Sequence, residues 1–217
     1  MLPKRLQIRR VRLFPIIVAS IVLCKGNLSG QTIPPPAASD WSFSASAATY
    51  VLPESTYVQP SFNADRDWLH LEARYNYESL RTGSLWFGYN FDGGEKLQWE
   101  FTPIVGGVFG DTKGIAPGFK GSLAWWKLEF YTENEYVANV DSHSDSFFYD
   151  WSELSLYPVD PFRVGLVTQR TRAYDSDRDI QRGILVGGSY KWLNLTGYAF
   201  NPDDEKPSFV FSAEITF

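Results

Sequence analysis

The chain has 217 residues, with 20 Lys and Arg against 25 Asp and Glu, and its mean hydropathy is -0.24. This hydropathy excludes a polytopic helical membrane protein, and the length is enough for one domain or two small ones. The first 30 residues contain six of the basic residues and no acid, so the remainder is strongly acidic. An acidic body lacks the basic patch that nucleic-acid binding needs, and we expect no nucleic-acid partner.

The N-terminal 40 residues are predicted to be an export signal and a tail. A basic stretch over 4–12 precedes an apolar run of 12 residues over 13–24. That run is too short to cross a bilayer as a helix, which takes about 20 residues. The pattern predicts a cleaved signal peptide over 1–30, and the Pro-rich residues 31–40 are predicted to be extended. The alternative is that 13–24 forms a buried core helix.

Cys24 is the one cysteine of the chain. A lipidated cysteine is an alternative interpretation, but Leu23 is larger than the small residue that normally precedes such a cysteine. A chain cut near Gly30 would contain no cysteine, so its fold would depend on burial and backbone pairing rather than on disulfides.

The rest of the chain, 41–217, is predicted to be all-β. Apolar and polar residues alternate with a period of two, and no amphipathic helix is recognisable. In one clear case, Leu69 and Leu71 share a face while His70 and Glu72 share the other. The predicted strands are 41–51, 56–64, 67–78, 82–92, 95–107, 113–124, 126–137, 146–158, 161–174, 180–190, 192–201 and 207–217. The direction of the side chains is ambiguous in 146–158 and 180–201, where apolar residues occupy both faces.

Strand length and connector length favour a membrane barrel over a soluble sandwich. Strands of soluble proteins are most often about 5–6 residues long, whereas strands that cross a membrane need about 9–11. The connections between the predicted strands also alternate between short and long along the chain. Short periplasmic turns and longer outer loops are typical of outer-membrane barrels. A soluble secreted barrel around an apolar ligand stays as a further alternative.

The last predicted strand is a third indication of a membrane barrel. The last predicted strand has aromatic residues at Phe209, Phe211 and Phe217, and Phe217 is the final residue. This strand resembles the C-terminal recognition strand of bacterial outer-membrane β-barrel proteins. Together with the signal peptide and the even strand count, it makes the chain resemble that superfamily, as a small porin-like barrel. The resemblance implies an antiparallel up-and-down transmembrane barrel of twelve strands, with 10–14 as the range, that the barrel-assembly machinery inserts into outer-membrane lipid.

Aromatic residues near the predicted strand ends suit the interface girdles of such a barrel. The alternative for each is ordinary packing. The candidates are Trp41, Tyr50, Trp68, Trp86, Tyr89, Trp125, Trp126, Tyr149, Trp151, Tyr157 and Trp192.

In a membrane barrel the charged face of each strand lines the interior. Mixed charges there can line a path for a solute or pair with one another and close the barrel, and the sequence leaves both open. Barrel width grows with strand number, and twelve strands lie between a filled interior and a wide channel. The predicted lining residues are His70, Glu72, Arg74, Lys96, Glu100, Lys127, Glu129, Glu133, Arg163 and Glu214.

Enzyme and metal motifs are weak. His143, Ser144 and Asp145 resemble the parts of a lipid hydrolase, but they are adjacent in a polar loop and lack the strand spacing of such enzymes. Asp175, Asp177 and Asp179 begin like a calcium loop, yet the later positions that an EF-hand needs do not follow. We therefore expect no enzyme, no cofactor and no built metal site.

The sequence predicts a narrow passive channel for small polar solutes in the bacterial outer membrane. Its alternatives are a closed structural barrel that meets partners through its acidic outer loops and, less favoured, an outer-membrane lipid hydrolase.

Overall fold

The computed structural model describes residues 41–142, 145–173 and 179–217. The predicted signal peptide over 1–30, the tail over 31–40, His143 and Ser144 lie outside the described residues. The strands are β1 (Ser42–Val51), β2 (Thr56–Arg66), β3 (Leu69–Tyr75), β4 (Thr82–Tyr89), β5 (Phe91–Gly93), β6 (Leu97–Gly110), β7 (Gly114–Trp125), β8 (Leu128–Asn139), β9 (Phe147–Val159), β10 (Phe162–Ala173), β11 (Asp179–Tyr190), β12 (Leu193–Phe200) and β13 (Ser208–Thr216).

These strands form one closed antiparallel barrel. Each strand pairs with its neighbours in the chain, and β1 pairs with β13 from Ser44↔Thr216 to Val51↔Phe209. The short β5 continues the course of β4, and both pair with β6, so the wall contains 12 strands. The predicted all-β, up-and-down, twelve-stranded barrel is confirmed. Among the described strands, closure pairs both sides of each strand except the three-residue β5, which pairs only with β6, so little sheet edge is left for another chain to extend.

The two ends of the barrel differ in their connections. At one end, here the short-turn end, the strands are joined by 67–68, 94–96, 126–127, 160–161 and 191–192. At the other, the long-loop end, they are joined by 52–55, 76–81, 111–113, 140–146, 174–178 and 201–207. Asp67, Trp126 and Lys191 adopt φ values of 50°, 55° and 54° in the tight turns. Left-handed residues at these positions let two strands reverse within two residues.

Alternation gives the wall an apolar outside and a largely polar inside. On β3, Leu71 faces outward and is exposed, whereas His70 and Arg74 face inward and are buried. The ambiguous stretches follow the same rule: Glu153 and Leu185 face inward. A one-residue change of register would reverse every side chain, so this pattern fixes the pairing.

The predicted aromatic girdle is only partly correct. Four of the candidates are buried inside the barrel, because each lies an even number of residues from the inward-facing positions of its strand. They are Tyr50, Trp86, Tyr149 and Trp151. Tyr157 faces inward too, and its hydroxyl donates to Glu129 at 2.7 Å. Exposed aromatic side chains do gather toward the short-turn end, namely Trp41, Trp68, Tyr89, Trp125, Trp126 and Trp192.

The three C-terminal phenylalanines all point outward. Phe209, Phe211 and Phe217 are exposed on the wall. The Phe217 ring stacks on Phe43 of β1 at 5.9 Å, and the two backbones exchange hydrogen bonds of 3.0 and 2.9 Å. The last residue therefore helps to close the seam between the first and last strands. The described residues include no helix long and apolar enough to cross a membrane.

Candidate functional site: the charged barrel interior

Arg74 of β3 is the centre of a buried ion-pair network. Its Nη1 donates to Glu135 Oε2 at 2.9 Å. Its Nη2 donates to Glu133 Oε1 at 2.7 Å and to Glu72 Oε2 at 2.8 Å. Because the planar guanidinium presents several fixed donors, one arginine can hold three carboxylates at once.

Aromatic side chains enclose this guanidinium. The Arg74 carbon Cζ lies 4.0 Å from the centre of the Tyr77 ring and 4.4 Å from the centre of the Trp86 ring. The Tyr77 and Tyr131 hydroxyls each donate to Glu133 at 3.0 Å. The faces of the two rings attract the guanidinium, and the two hydroxyls donate hydrogen bonds to the carboxylate of Glu133. Both charged groups are therefore packed against aromatic side chains or hydrogen-bonded to them.

Carboxylates outnumber cations in this network. Lys120 of β7 contacts Glu72 and lies 3.9 Å from Glu133. Glu78, from the connection 76–81, reaches to 3.8 Å from Arg74 and accepts a 2.7 Å bond from Ser84. Its second oxygen is buried without a hydrogen-bond partner. Two cations therefore face four carboxylates. We call this set, Arg74, Lys120, Glu72, Glu78, Glu133 and Glu135, the Arg74 network.

A polar chain continues from the network toward the short-turn end. The His70 Nε2 lies 3.4 Å from Glu72 Oε2, and its Nδ1 lies 2.6 Å from Asp65 Oδ1. Asn90 donates to the same Asp65 oxygen at 3.3 Å and accepts a 2.8 Å bond from Thr102. Strands β2, β3 and β6 are thus linked on their inner faces, with Asn90, between β4 and β5, as the connecting residue.

A second cluster surrounds Arg163 of β10. Its Nη1 donates to Glu153 at 2.6 Å and to Ser155 at 3.1 Å. Its Nη2 donates to Thr196 at 3.0 Å and to the Tyr198 hydroxyl at 3.3 Å. The cluster joins β9, β10 and β12, on the side of the interior away from β3.

Apolar side chains fill other parts of the interior. Trp151, Val167, Leu185, Phe200 and Val210 pack together. A second group brings together the apolar side chains of Trp86, Ile104, Val108, Ala116 and Val137. Trp151 and Val137 are 0% exposed, so water does not contact these side chains.

Most of the predicted lining residues lie at inward positions. His70, Glu72, Arg74, Glu129, Glu133, Arg163 and Glu214 are buried, and Glu100 is half-buried on the inner face of β6. Lys96 and Lys127 lie instead in the turns 94–96 and 126–127 and are exposed, and Lys127 donates to the Pro158 carbonyl. The strands that follow them begin at Leu97 and Leu128, two residues later than the predicted starts at 95 and 126, so each lysine falls in the preceding turn.

Sequence reasoning missed several members of the interior. Glu135 has the parity of Glu133 and would have been found by extending that pattern by one pair. Glu153 lies in the stretch whose direction was ambiguous, and Lys120 lies among glycines and a proline that obscure alternation. Glu78 lies in the predicted strand 67–78 on the same face as Glu72 and Arg74, although the predicted lining set does not include it. In the structure β3 ends at Tyr75, and Glu78 reaches the interior from the connection 76–81.

The enzyme and metal candidates fall mainly in segments that the structure does not describe. His143, Ser144, Asp175 and Asp177 lie outside the described residues. Within the described ranges 41–142, 145–173 and 179–217, no group of three or more His, Cys, Asp or Glu is arranged to hold a metal ion.

Solved structures resemble this barrel in fold. No family model and no curated protein matches the sequence. A structure described as "KdgM porin" has a TM-score of 0.58 at 7% identity, covering 80% of this chain and 99% of its own. A second, "KdgM porin in complex with disordered oligogalacturonate", has a TM-score of 0.61 at 7% identity, with the same coverage. The chain therefore shares the fold of these porins, a closed antiparallel β-barrel of 12 strands.

Proposed function

We propose that this protein is a narrow passive channel for small polar solutes in the bacterial outer membrane. The observation that carries the proposal is the Arg74 network, a polar charged layer inside a closed barrel. Burying charged groups costs free energy, and the attraction between them offsets only part of that cost. A barrel without a passage could therefore be stable with apolar residues in place of these ion pairs.

The outer wall supports the membrane location. Its exposed side chains are mainly aromatic and aliphatic, such as Leu85, Phe101 and Ile115. In a bilayer all strand N–H and C=O groups must pair within the protein, and a closed barrel meets that requirement. We propose that residues 1–30 direct export, and that the Phe209, Phe211 and Phe217 strand is recognised during barrel assembly.

The solute class follows from the charge of the interior. Four carboxylates face two cations in the Arg74 network. Fixed negative charge in a pore raises the local concentration of cations and lowers that of anions. We therefore propose cationic and neutral solutes. An acidic oligosaccharide, such as the oligogalacturonate of the KdgM porin complex, would be repelled here.

One observation favours a second candidate, a closed barrel that acts through its outer loops. Trp151 and Val137 are fully buried inside the barrel, and the Arg74 and Glu78 side chains are 0% exposed. For the channel, this packing represents a closed resting state. Conduction then requires the aromatic layer and the ion pairs to separate, which predicts brief, small openings.

Single-channel recording in planar bilayers tests the proposal. Refolded protein, first checked for heat-modifiable gel mobility, should give small steps with a reversal potential that favours cations. Glu133→Gln should reduce the cation preference. Glu54→Gln is the matched control, because Glu54 is exposed in the loop 52–55. A folded barrel without steps, in the wild type and in Trp151→Ala alike, would leave the closed barrel as the function.

A further inference from the structure

The connection between β3 and β4 sends a short segment into the barrel interior. Residues 77–80 lie between Asn76 and Arg81, whose φ values are 56° and 53°. Left-handed backbone at both points turns the chain sharply, so the segment leaves the course of the two strands. Glu78 of this segment is buried, whereas Leu80 is exposed at the long-loop end. We call residues 77–80 the strap.

Hydrogen bonds hold both ends of the strap in place. The Asn76 backbone donates to the Thr82 carbonyl at 2.8 Å, and its side chain donates to the Val58 carbonyl at 3.0 Å. The Arg81 backbone donates to Asn76 Oδ1 at 2.8 Å, and the Arg81 guanidinium pairs with Asp111. The strap can therefore move between two fixed points while β3 and β4 stay paired.

Two side chains hold the strap in the interior. The Tyr77 hydroxyl donates to Glu133 of β8 at 3.0 Å, and the Tyr77 ring centre lies 4.0 Å from Arg74 Cζ. Glu78 accepts a 2.7 Å bond from Ser84 and lies 3.8 Å from Arg74 Nη1. The strap thus connects the wall at β3 and β4 with β8. With the strap in this position, the Arg74 side chain is 0% exposed.

Glu78 and Glu135 depend on the same nitrogen atom. Arg74 Nη1 lies 2.9 Å from Glu135 Oε2 and 3.8 Å from Glu78 Oε1. The other terminal nitrogen, Nη2, is used by Glu72 and Glu133. The second oxygen of Glu78 is buried without a hydrogen-bond partner. If both carboxylates of the Glu78–Glu135 pair were ionised, two negative charges would share one donor nitrogen in a site that excludes water.

Such a pair favours holding one proton. Each charge opposes the ionisation of the other carboxylate, and burial opposes both ionisations. Burial raises the pKa of Glu78, and Arg74 and the Ser84 hydroxyl only partly offset this effect. The titratable and charged groups around the pair are Arg74 and Glu72 of β3, Tyr77 of the strap, Lys120 of β7 through its contact with Glu72, Glu133 of β8 and Tyr149 of β9.

We propose that the strap is a pH-sensitive gate, closed over the Arg74 network while the Glu78–Glu135 pair holds a proton and released toward the long-loop end when that proton is lost. A neutral carboxyl group can stay buried, whereas an ionised one without a cation gains hydration by leaving. The closed strap binds the proton more tightly than the open strap, so acid favours the closed state and alkali favours the open state. The role as a gate rests on the proposed channel function, but the movement of the strap does not.

Distances between two spin labels test the movement without any conductance. The full chain with Cys24→Ser carries the labels at Leu80→Cys and Val140→Cys, because Leu80 and Val140 are exposed in the connections 76–81 and 140–146. In lipid vesicles the barrel should give one distance at about pH 6, and a second distance should appear at about pH 9. An ordinary tyrosine or lysine ionises only near pH 10, above this range.

Glu78→Gln keeps the shape of the side chain but cannot ionise, so it should keep the closed distance at both pH values. If this variant does not fold, Glu135→Gln removes the other carboxylate of the pair and should have the same effect. Glu54→Gln is the matched control in the exposed loop 52–55 and should respond as the wild type does. The proposal would be overturned by a wild type with one distance throughout, or by a Glu78→Gln barrel that responds like the wild type.

Planar-bilayer recording separates this inference from the proposed function. The wild type should open several-fold more often at the higher pH, and Glu78→Gln should stay mostly closed at both. Conductance steps that do not change with pH would overturn the gate and leave the channel standing. Label distances that change with pH in a barrel without steps would support the strap and its proton, and would count against the channel alone.

Discussion

The Arg74 Nη2 and the Glu133 Oε1 meet at 2.7 Å inside the barrel, although 59 residues separate them in the chain. Their strands are not neighbours, because β4, β6 and β7 lie between β3 and β8 in the sheet. The pair therefore connects two parts of the wall through the interior. Backbone pairing alone holds adjacent strands, and this contact adds a link that the sheet does not supply.

Arg74→Met should strongly destabilise the barrel. It leaves Glu72, Glu133 and Glu135 buried without their shared cation, and losing one partner of a buried ion pair costs about 3–5 kcal/mol. Denaturant unfolding in lipid vesicles, followed by tryptophan fluorescence, measures the change. Arg81→Met is the control, because Arg81 is exposed and its ion pair with Asp111 is exposed too, so a change below about 1 kcal/mol is expected. Equal effects of the two substitutions would show that the network adds no stability.

The turn residue Lys191 offers a test of backbone strain. Its φ of 54° lies in the left-handed region, which a β-branched residue enters only with strain. Lys191→Gly should stabilise the barrel by up to about 1 kcal/mol, and Lys191→Ile should destabilise it by about 1–3 kcal/mol. Unfolding midpoints of both variants measure the effect, with Lys191→Asn close to the wild type because Asn tolerates this conformation. If Ile were as stable as Gly, the turn would have another conformation.

The fold was predictable because an up-and-down β-barrel repeats one simple pattern. Alternation with a period of two identifies strands, and the inner residues Glu72 and Arg74 follow from the parity of a single strand. The same rule fails where apolar residues face both ways. Trp151 resembles a girdle residue in the sequence, yet it faces inward, because the outward positions beside it carry Asp150 and Ser152.

The interior contacts were not predictable for a different reason. The alternation along a strand predicts which side chains face inward, but it does not predict which of them contact one another across the barrel. The link between Arg74 and Glu135 depends on barrel closure and on strand stagger, which are properties of all strands together. Glu78 adds a further difficulty. The alternation of the predicted strand 67–78 places it on the inner face, but the structure ends that strand at Tyr75 and brings Glu78 to Arg74 from the connection 76–81.

Phe217→Ala should reduce assembly in cells more than folding in vitro. The ring stacks on Phe43 at the strand seam, but its side chain is 65% exposed, so its loss removes little packing. If the barrel-assembly machinery recognises the terminal aromatic residue, the amount of heat-modifiable barrel in the outer membrane should fall several-fold in the variant. Refolding yield in detergent should stay near that of the wild type. Phe101→Ala, on another outward position, is the control and should assemble normally. Equal losses in both assays would assign Phe217 a purely structural role.

Trp151→Ala should both weaken and open the barrel. The indole is fully buried, packs edge-on against Tyr198 and Phe200 at 5.3 and 5.5 Å, and donates to Glu153 at 3.1 Å. Its removal should cost about 3–5 kcal/mol, because the space left inside a closed wall does not collapse fully.

The same substitution should raise the conductance, since the cavity adjoins the Arg163 cluster and its polar groups can hold water. Denaturant unfolding and planar-bilayer recording of one preparation measure the two effects. Trp192→Ala is the control, because Trp192 is exposed in the turn 191–192 and contributes to neither the packing nor the interior. A destabilised Trp151→Ala barrel with unchanged conductance would mean that this aromatic layer is structural packing, and that any passage closes at the Arg74 network.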